Sequence, residues 1–392
     1  MQVNVNVSSE ILNWIIAHTR SDTLPRQIRE YLTLWTNGEK NPTFNQVEKV
    51  SRATGVPLGY FFLQTPPEED LSIVEYRTID SIELENPSRN LIDVLHDMEQ
   101  IQEWIREHLI SEGMSPLEFV GKMKNGYPPN MFAQKVRSLL SISVNWYSQF
   151  RTTEEAFNLI RTAISNTGVV VMMSGIVENN THRSLDIKEF RAFSIVDQYA
   201  PLIFINSNDS SNGKLFSLLH EFSHICMGEN SLFNDRYSLG KKVKKSETLC
   251  NAVAAEILVP QPFFEKSWSS AIGENDNIEQ VIEILSHEFK CGITVIARKA
   301  YDCGYINHQQ YQKTAQLAVQ LYNENRARQK ERGEGGGDFY RTAASRIDKR
   351  FFKMLVNSVN EGKTLYSEAF RLTNTNRSTF ANLADHVGDG IK

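Results

Sequence analysis

The sequence predicts an α+β chain in four parts. Residues 1–67 read as an all-α domain, 68–160 as a linker and helical region, 161–308 as a small sheet with helices, and 309–392 as a long helix, a glycine hinge and a helical C-terminal domain. Three observations predict this division. Apolar residues recur at helical spacing through much of the first 160 residues, and short β-branched runs bounded by turn residues cluster between 168 and 205. From Asn277 onward the helical period returns. A length of 392 residues suits two or three domains.

Taken in order, Ile11, Leu12, Ile15 and Ile16 make one helical face that Ser8 or Ser9 can cap. Asn37-Gly38 ends a later helix, and Pro42-Thr43 opens the next. The stretch Thr65-Pro66-Pro67-Glu68-Glu69-Asp70 is a linker by composition. Leu91, Val94, Leu95, Met98, Ile101 and Ile105 form one core-facing stripe, and Phe132, Val136, Leu139 and Leu140 form another beyond Pro128-Pro129. Strands are expected at 168–173, 190–196 and 202–205, the last two joined by Asp197-Gln198-Tyr199-Ala200-Pro201. Helices follow at 277–287 and 293–300, then a long polar helix over 309–332 with a basic end. Gly333, Gly335, Gly336 and Gly337 make a flexible hinge. Residues 345–356 form an amphipathic basic helix, and 367–380 have the rhythm of two helices and a turn. A partner-binding tail is preferred there to a DNA reader, because only Arg371 and Arg377 are placed to meet phosphates.

Composition narrows the function classes. Hydrophobic content of 41%, charged content of 23% and a net charge of −5 exclude a disordered chain and a strongly nucleic-acid-like one. No apolar run approaches the ~20 residues of a membrane span, and the N-terminus lacks a basic-then-apolar signal, so a cytoplasmic protein without a membrane partner is expected. The four cysteines, Cys226, Cys250, Cys291 and Cys303, are too scattered for a disulfide framework and form no CxxC pair.

The chemistry concentrates in Leu215-Phe216-Ser217-Leu218-Leu219-His220-Glu221-Phe222-Ser223-His224-Ile225. Positions four apart share a helical face, so His220 and His224 can offer two imidazole nitrogens to one metal ion with Glu221 beside them, the HExxH pattern. A catalytic zinc takes a third protein ligand and keeps one position open. The next histidine, His287, is remote, so a carboxylate from the Ala- and Leu-rich helix ending at Pro260 is the better source. Glu247 and Glu256 are the candidates. They lie nine residues apart, about 180° around a helix, so only one can face the ion. Glu247 is preferred, and Asn251, one turn on, is then placed to hydrogen-bond a ligand histidine. Cys226, two residues after His224, reads as a small buried apolar residue rather than a soft ligand or redox sensor.

The run Arg191-Ala192-Phe193-Ser194, then Pro201-Leu202-Ile203-Phe204-Ile205-Asn206, then HEFSH at 220–224 and ETLCNAVAAEILVP at 247–260 resembles the ImmA/IrrE family of metallopeptidases over about residues 160–300. That resemblance implies a zincin-like domain with Zn²⁺ on His220, His224 and Glu247 and with Glu221 as general base. It also implies a specific regulatory protein as substrate, or a toxin as partner, in a stress-response or toxin-antitoxin setting. Cys250 stands where the family usually has Ala and Val253 where it has Phe, and neither is expected to touch the ligands. A sheet edge next to the metal would accept a peptide as an added strand. His182 and Tyr199 are the candidates for an oxyanion donor, by nearness to the sheet in sequence.

Residues 31–44 and 46–62 resemble the Cro/repressor (XRE) type of helix-turn-helix, and Glu75-Tyr76-Arg77-Thr78 resembles the short segment that follows it in fused members of the family. Arg26, Arg29 and Lys40 would be the DNA-contacting cations. Two features count against a full reader: too little chain between Leu24 and Trp35, and six basic against five acidic residues in 1–67. DNA binding is weighed against protein docking for this domain. For the whole chain, the expectation is a zinc metalloendopeptidase coupled to that domain, in an oligomeric state left open. The alternative is a non-catalytic transcriptional regulator or antitoxin with a structural or vestigial metal site. Glu221 discriminates, because a structural site has no use for an acid/base residue beside its histidines.

Overall fold

A computed structural model describes residues 4–19, 24–67, 87–124, 126–233, 245–274, 277–331 and 339–388. The Glu75-Tyr76-Arg77-Thr78 segment, linker residues 68–70 and the glycine hinge at 333–337 lie outside the described residues. The chain is α+β, with a four-stranded mixed sheet among many helices, and it divides into two compact units. One comprises Met1–Glu99 with Gly175–Leu185, the other Gln100–Ser174 with Asp186–Lys392.

In the first unit, α1 (Ser9–His18), α2 (Arg26–Thr36), α3 (Phe44–Thr54) and a 3-10 turn (Leu58–Phe62) close around Ile11, Ile15, Val47, Val50 and Phe61. Ser8 caps α1 as its spacing suggested, and Thr43 opens α3 with a reciprocal capping box to Gln46. Between Leu24 and Asn37 the chain forms α2 alone, so this stretch holds no pair of helices with a tight turn. Arg26 is ion-paired to Glu30 at 2.8 Å, and Arg29 and Lys40 are exposed on α2 and in the turn after it. Gly55 ends α3 at φ +75°, and a Cβ there would lie 2.5 Å from the Arg183 guanidinium, so both its conformation and the close packing require glycine.

In the second unit the sheet order is β1-β3-β2-β4. β1 (Val170–Ser174) runs parallel to β3 (Leu202–Asn206); β2 (Ala192–Ile195) is antiparallel to both β3 and β4 (Ser231–Phe233). Three strands overlap the expected segments, β2 lying inside its own and β1 and β3 each running one residue past theirs. β4 was missed, because three residues reading Ser-Leu-Phe carry no period for a pattern to show. Helix α4 (Arg89–Ser111), helix α5 (Pro129–Leu139) and helix α6 (Thr153–Asn166) precede the sheet. Helix α7 (Ser211–Met227) packs against β2, β3 and α6 and against α8 (Lys245–Leu258), so it is buried on all sides from Ser217 to Met227. Beyond it, α9 (Gln261–Glu274), α10 (Ile278–Glu288) and α11 (Ile293–Asp302) complete the core, and α12 (His308–Glu331) is the long polar helix.

The C-terminal helices α13 (Phe339–Arg346), α14 (Lys349–Asn360), α15 (Tyr366–Leu372) and α16 (Arg377–Gly388) are tied to the outer edge of β1. Asp348 caps α14 by accepting from the Arg350 and Phe351 N–H groups. Its other oxygen accepts from Ser165 at 2.8 Å and from the Val171 N–H at 3.2 Å. Arg161 donates to the Val171 carbonyl and to the carbonyls of Ser345 and Ile347. A carboxylate and a guanidinium thus take the place of a neighbouring strand, which closes this edge to further pairing. Replacing Asp348 by Ala removes a cap and leaves buried donors unpaired, an expected loss of roughly 3 kcal/mol in chemical denaturation. Asp348→Asn keeps the cap oxygen and is expected to lose less.

Candidate metal centre

Helix α7 is an amphipathic pattern turned into a buried strut. Leu215, Leu218, Leu219, Phe222 and Ile225 are fully buried, as their spacing predicts. The Ser210 hydroxyl caps its start by accepting from the Gly213 N–H. Gly228 ends it at φ +77°, where a Cβ would meet the Gly121 Cα at 2.9 Å. Because the helix cannot shift, its His220 and His224 side chains are aimed by the core.

The two imidazoles converge, with Nε2 atoms 3.1 Å apart. Glu247, in the first turn of α8, places Oε2 3.2 Å from His220 Nε2 and Oε1 3.3 Å from His224 Nε2. The three residues form a group that could hold a metal ion. Two neutral imidazoles and a carboxylate are the donor set of hydrolytic zinc sites, and ligand atoms ~2.1 Å from a tetrahedral ion stand about 3.3 Å from each other. The observed separations match that spacing, so the residues fit such an ion.

Glu256, the rival ligand, points elsewhere. It forms a largely buried ion pair with Lys299 and accepts from the Gln261 N–H, so it serves the junction of α8, α9 and α11. The half-turn offset from Glu247 is the physical reason. Asn251 acts on the His220 ring by raising its basicity, but the hydrogen bond expected of it is not formed: His220 Nδ1 has no partner among the described residues. Cys250 was expected to leave the ligands untouched: its thiol donates to Met227 Sδ at 3.5 Å, His224 Nδ1 has no hydrogen-bond partner among the described residues, and Cys250 reaches that ring only electrostatically. One turn after Glu247 every residue on that face must meet α7, so the spacing alone could have flagged it. Cys226 is fully buried, and burial pushes its thiol well up, which makes it an inert apolar filler.

Electrostatics follow from burial. Glu247 would be raised by burial, but both histidines outweigh this and hold it well below the usual carboxylate range. Burial holds His220 below its ordinary value; at His224 burial acts the same way, but Cys250 and Glu247 outweigh it and raise the group. The ionised Glu247 thus favours a proton on the paired imidazoles, and a metal ion bound there would compete with that proton.

Glu221 is fully buried and sits on the sheet side of α7. Burial raises its carboxyl to about 7, with His224 and Ser194 opposing the shift. Ser194 of β2 donates to Oε2 at 2.6 Å, while Oε1 has no hydrogen-bond partner among the described residues. The sequence pattern located Glu221 but not Ser194, whose only signal was a lone hydroxyl in the otherwise apolar strand Ala192-Phe193-Ser194-Ile195. Of the oxyanion candidates, His182 is exposed in the first unit, and Tyr199 lies in the turn where Asp197 accepts from its N–H.

The raised Glu221 carboxyl gives a pH prediction for the metal-free protein. Unfolded, the group ionises from about 4.5; folded, it stays protonated up to about 7. Its contribution to stability is therefore full below pH 4.5 and is lost as pH rises through 7. Chelator-treated Glu221→Gln is expected to be more stable than the parent at pH 8 by roughly 2–3 kcal/mol and no more stable at pH 4.5, read by denaturant titration at both pH values.

No helix among the described residues is long and apolar enough to cross a membrane. No curated protein and no solved structure matches the chain. Residues 347–386, which include α14, α15 and most of α16, match a family described as a domain of unknown function. Residues 165–301, about a third of the chain, match the peptidase family model described as the IrrE N-terminal-like domain, and His220, Glu221, His224 and Glu247 all fall within that match.

Proposed function

We propose that the chain is a zinc-dependent metalloendopeptidase that cleaves a specific regulatory protein. The observation that carries this reading is a pair: Glu247 bridging the two Nε2 atoms, and Glu221 beside them with one carboxylate oxygen unengaged. His220, His224 and Glu247 would hold the ion. When bound there, zinc supplies Lewis acidity, polarising a peptide carbonyl and lowering the pKa of water to about 7. Glu221 takes a proton from the attacking water at Oε1 and returns it to the leaving amine. A carboxyl poised near 7 by burial is suited to both transfers.

The sheet supports a protein substrate. Its β1 edge is closed by Arg161 and Asp348, whereas β4 at the opposite edge pairs only with β2 among the described strands. Phe233 of β4 packs on the His220 ring at 4.1 Å between centroids, so that edge borders the metal site. An extended peptide laid along β4 would bring its backbone to the ion. The first unit would then dock the target or its partner. Arg26 and Arg52 are paired with Glu30 and Glu48 there, which favours protein over DNA as what it meets.

The test is to incubate the zinc-loaded full chain with each regulator or toxin encoded beside it and to follow products by mass spectrometry. A discrete cleavage, blocked by chelator, is expected. Full zinc occupancy with no cleavage of any of them would favour the non-catalytic regulator.

A further inference from the structure

Glu221 is held from the sheet as well as by its own helix. Ser194 and Glu221 are both fully buried, and the 2.6 Å bond between them has the length of a charge-assisted O–H···O⁻ contact. Ser231 of β4 is the register partner of Ser194 in the antiparallel β2/β4 pair. Residues directly opposite in such a pair share one face, with Cβ atoms about 4.5–5.5 Å apart. Two hydroxyls therefore rise side by side from the sheet toward α7. Ser231 is 1% exposed and its Oγ has no bonded partner among the described residues.

Packing alone does not explain these serines. Every residue of β2 and β4 is buried, and an unbonded buried hydroxyl costs on the order of 1–3 kcal/mol, so Ala or Val would serve the core better. Nor does Glu221 need both oxygens tied for the helix to stand. The last torsion of a glutamate is broad, so an unrestrained carboxylate would offer either oxygen to a substrate in turn. A hydroxyl bonded to one oxygen fixes the plane and selects the other.

We propose that Ser194 is a positioning residue that holds Glu221 Oε2 against the sheet and presents Oε1 as the oxygen that accepts and returns the proton. This role rests on the metallopeptidase reading above.

The test uses the full chain with Co²⁺ in place of zinc and follows its visible absorption against pH, a readout independent of any substrate. The parent is expected to bind one Co²⁺ and to show a midpoint that moves in Glu221→Gln. In Ser194→Ala, Co²⁺ uptake is retained and the midpoint moves by about one pH unit, the size of one lost charge-assisted bond. Ser194→Thr keeps the hydroxyl and returns the midpoint to the parent value. An unchanged midpoint in the alanine variant overturns the proposal. So does loss of Co²⁺ uptake in the alanine variant alone, which would make Ser194 a support of the ligand helix. Failure of the parent to bind Co²⁺ would instead remove the metallopeptidase reading itself.

Discussion

Glu221→Gln is expected to abolish cleavage while leaving the metal in place. The substitution keeps the shape and the Ser194 hydrogen bond but removes the site that accepts a proton. General acid–base catalysis contributes ~10²–10⁴ in rate, and this residue would serve at two steps, so a fall in kcat of at least about a thousandfold is expected. The residue contacts neither ligand through a bond that fixes it, so zinc content is expected to stay at the parent level. Equal activity of the variant would remove Glu221 from the mechanism. Loss of both zinc and activity would mean that the carboxylate shapes the site rather than acting in it.

The second large effect concerns the ion and stability. A ligand present at a thousandfold over its dissociation constant stabilises the folded state by about 4 kcal/mol. The parent is therefore expected to melt at a clearly higher temperature with zinc than after chelation. That gain should vanish in Glu247→Gln, which is the cleanest ligand variant because its side chain is 16% exposed and its loss opens no cavity. His224→Ala should behave alike but melt lower throughout, since a fully enclosed ring is removed. Glu256→Gln separates the two carboxylates. It should keep the whole zinc response yet lose stability, because it leaves the largely buried Lys299 ammonium without its carboxylate partner.

The features legible in the sequence were those set by period. Four-residue spacing put His220 and His224 together, and the offset between Glu247 and Glu256 separated a residue that meets the histidines from one that meets Lys299. What escaped were contacts between elements distant in sequence and without period. Ser231 lies in a three-residue strand, and its meaning depends on the β2/β4 register, which no local pattern encodes. Asp348 was visible only as one residue inside the basic helix expected over 345–356, whereas it caps the helix that begins at Lys349; its second role, bonding Val171 from 177 positions away, arises from tertiary packing. In the N-terminal unit, resemblance in α3 and the turn after it suggested a DNA reader, while the single helix between Leu24 and Asn37 carries no second helix of such a motif.

The central claim is that one ion is shared by His220, His224 and Glu247. Crystals grown with zinc, measured above and below the zinc absorption edge, test it most directly. The account predicts one anomalous peak about 2.0–2.2 Å from both Nε2 atoms and from an oxygen of Glu247. A peak bound elsewhere, or none at these three side chains in zinc-saturated protein, would contradict it.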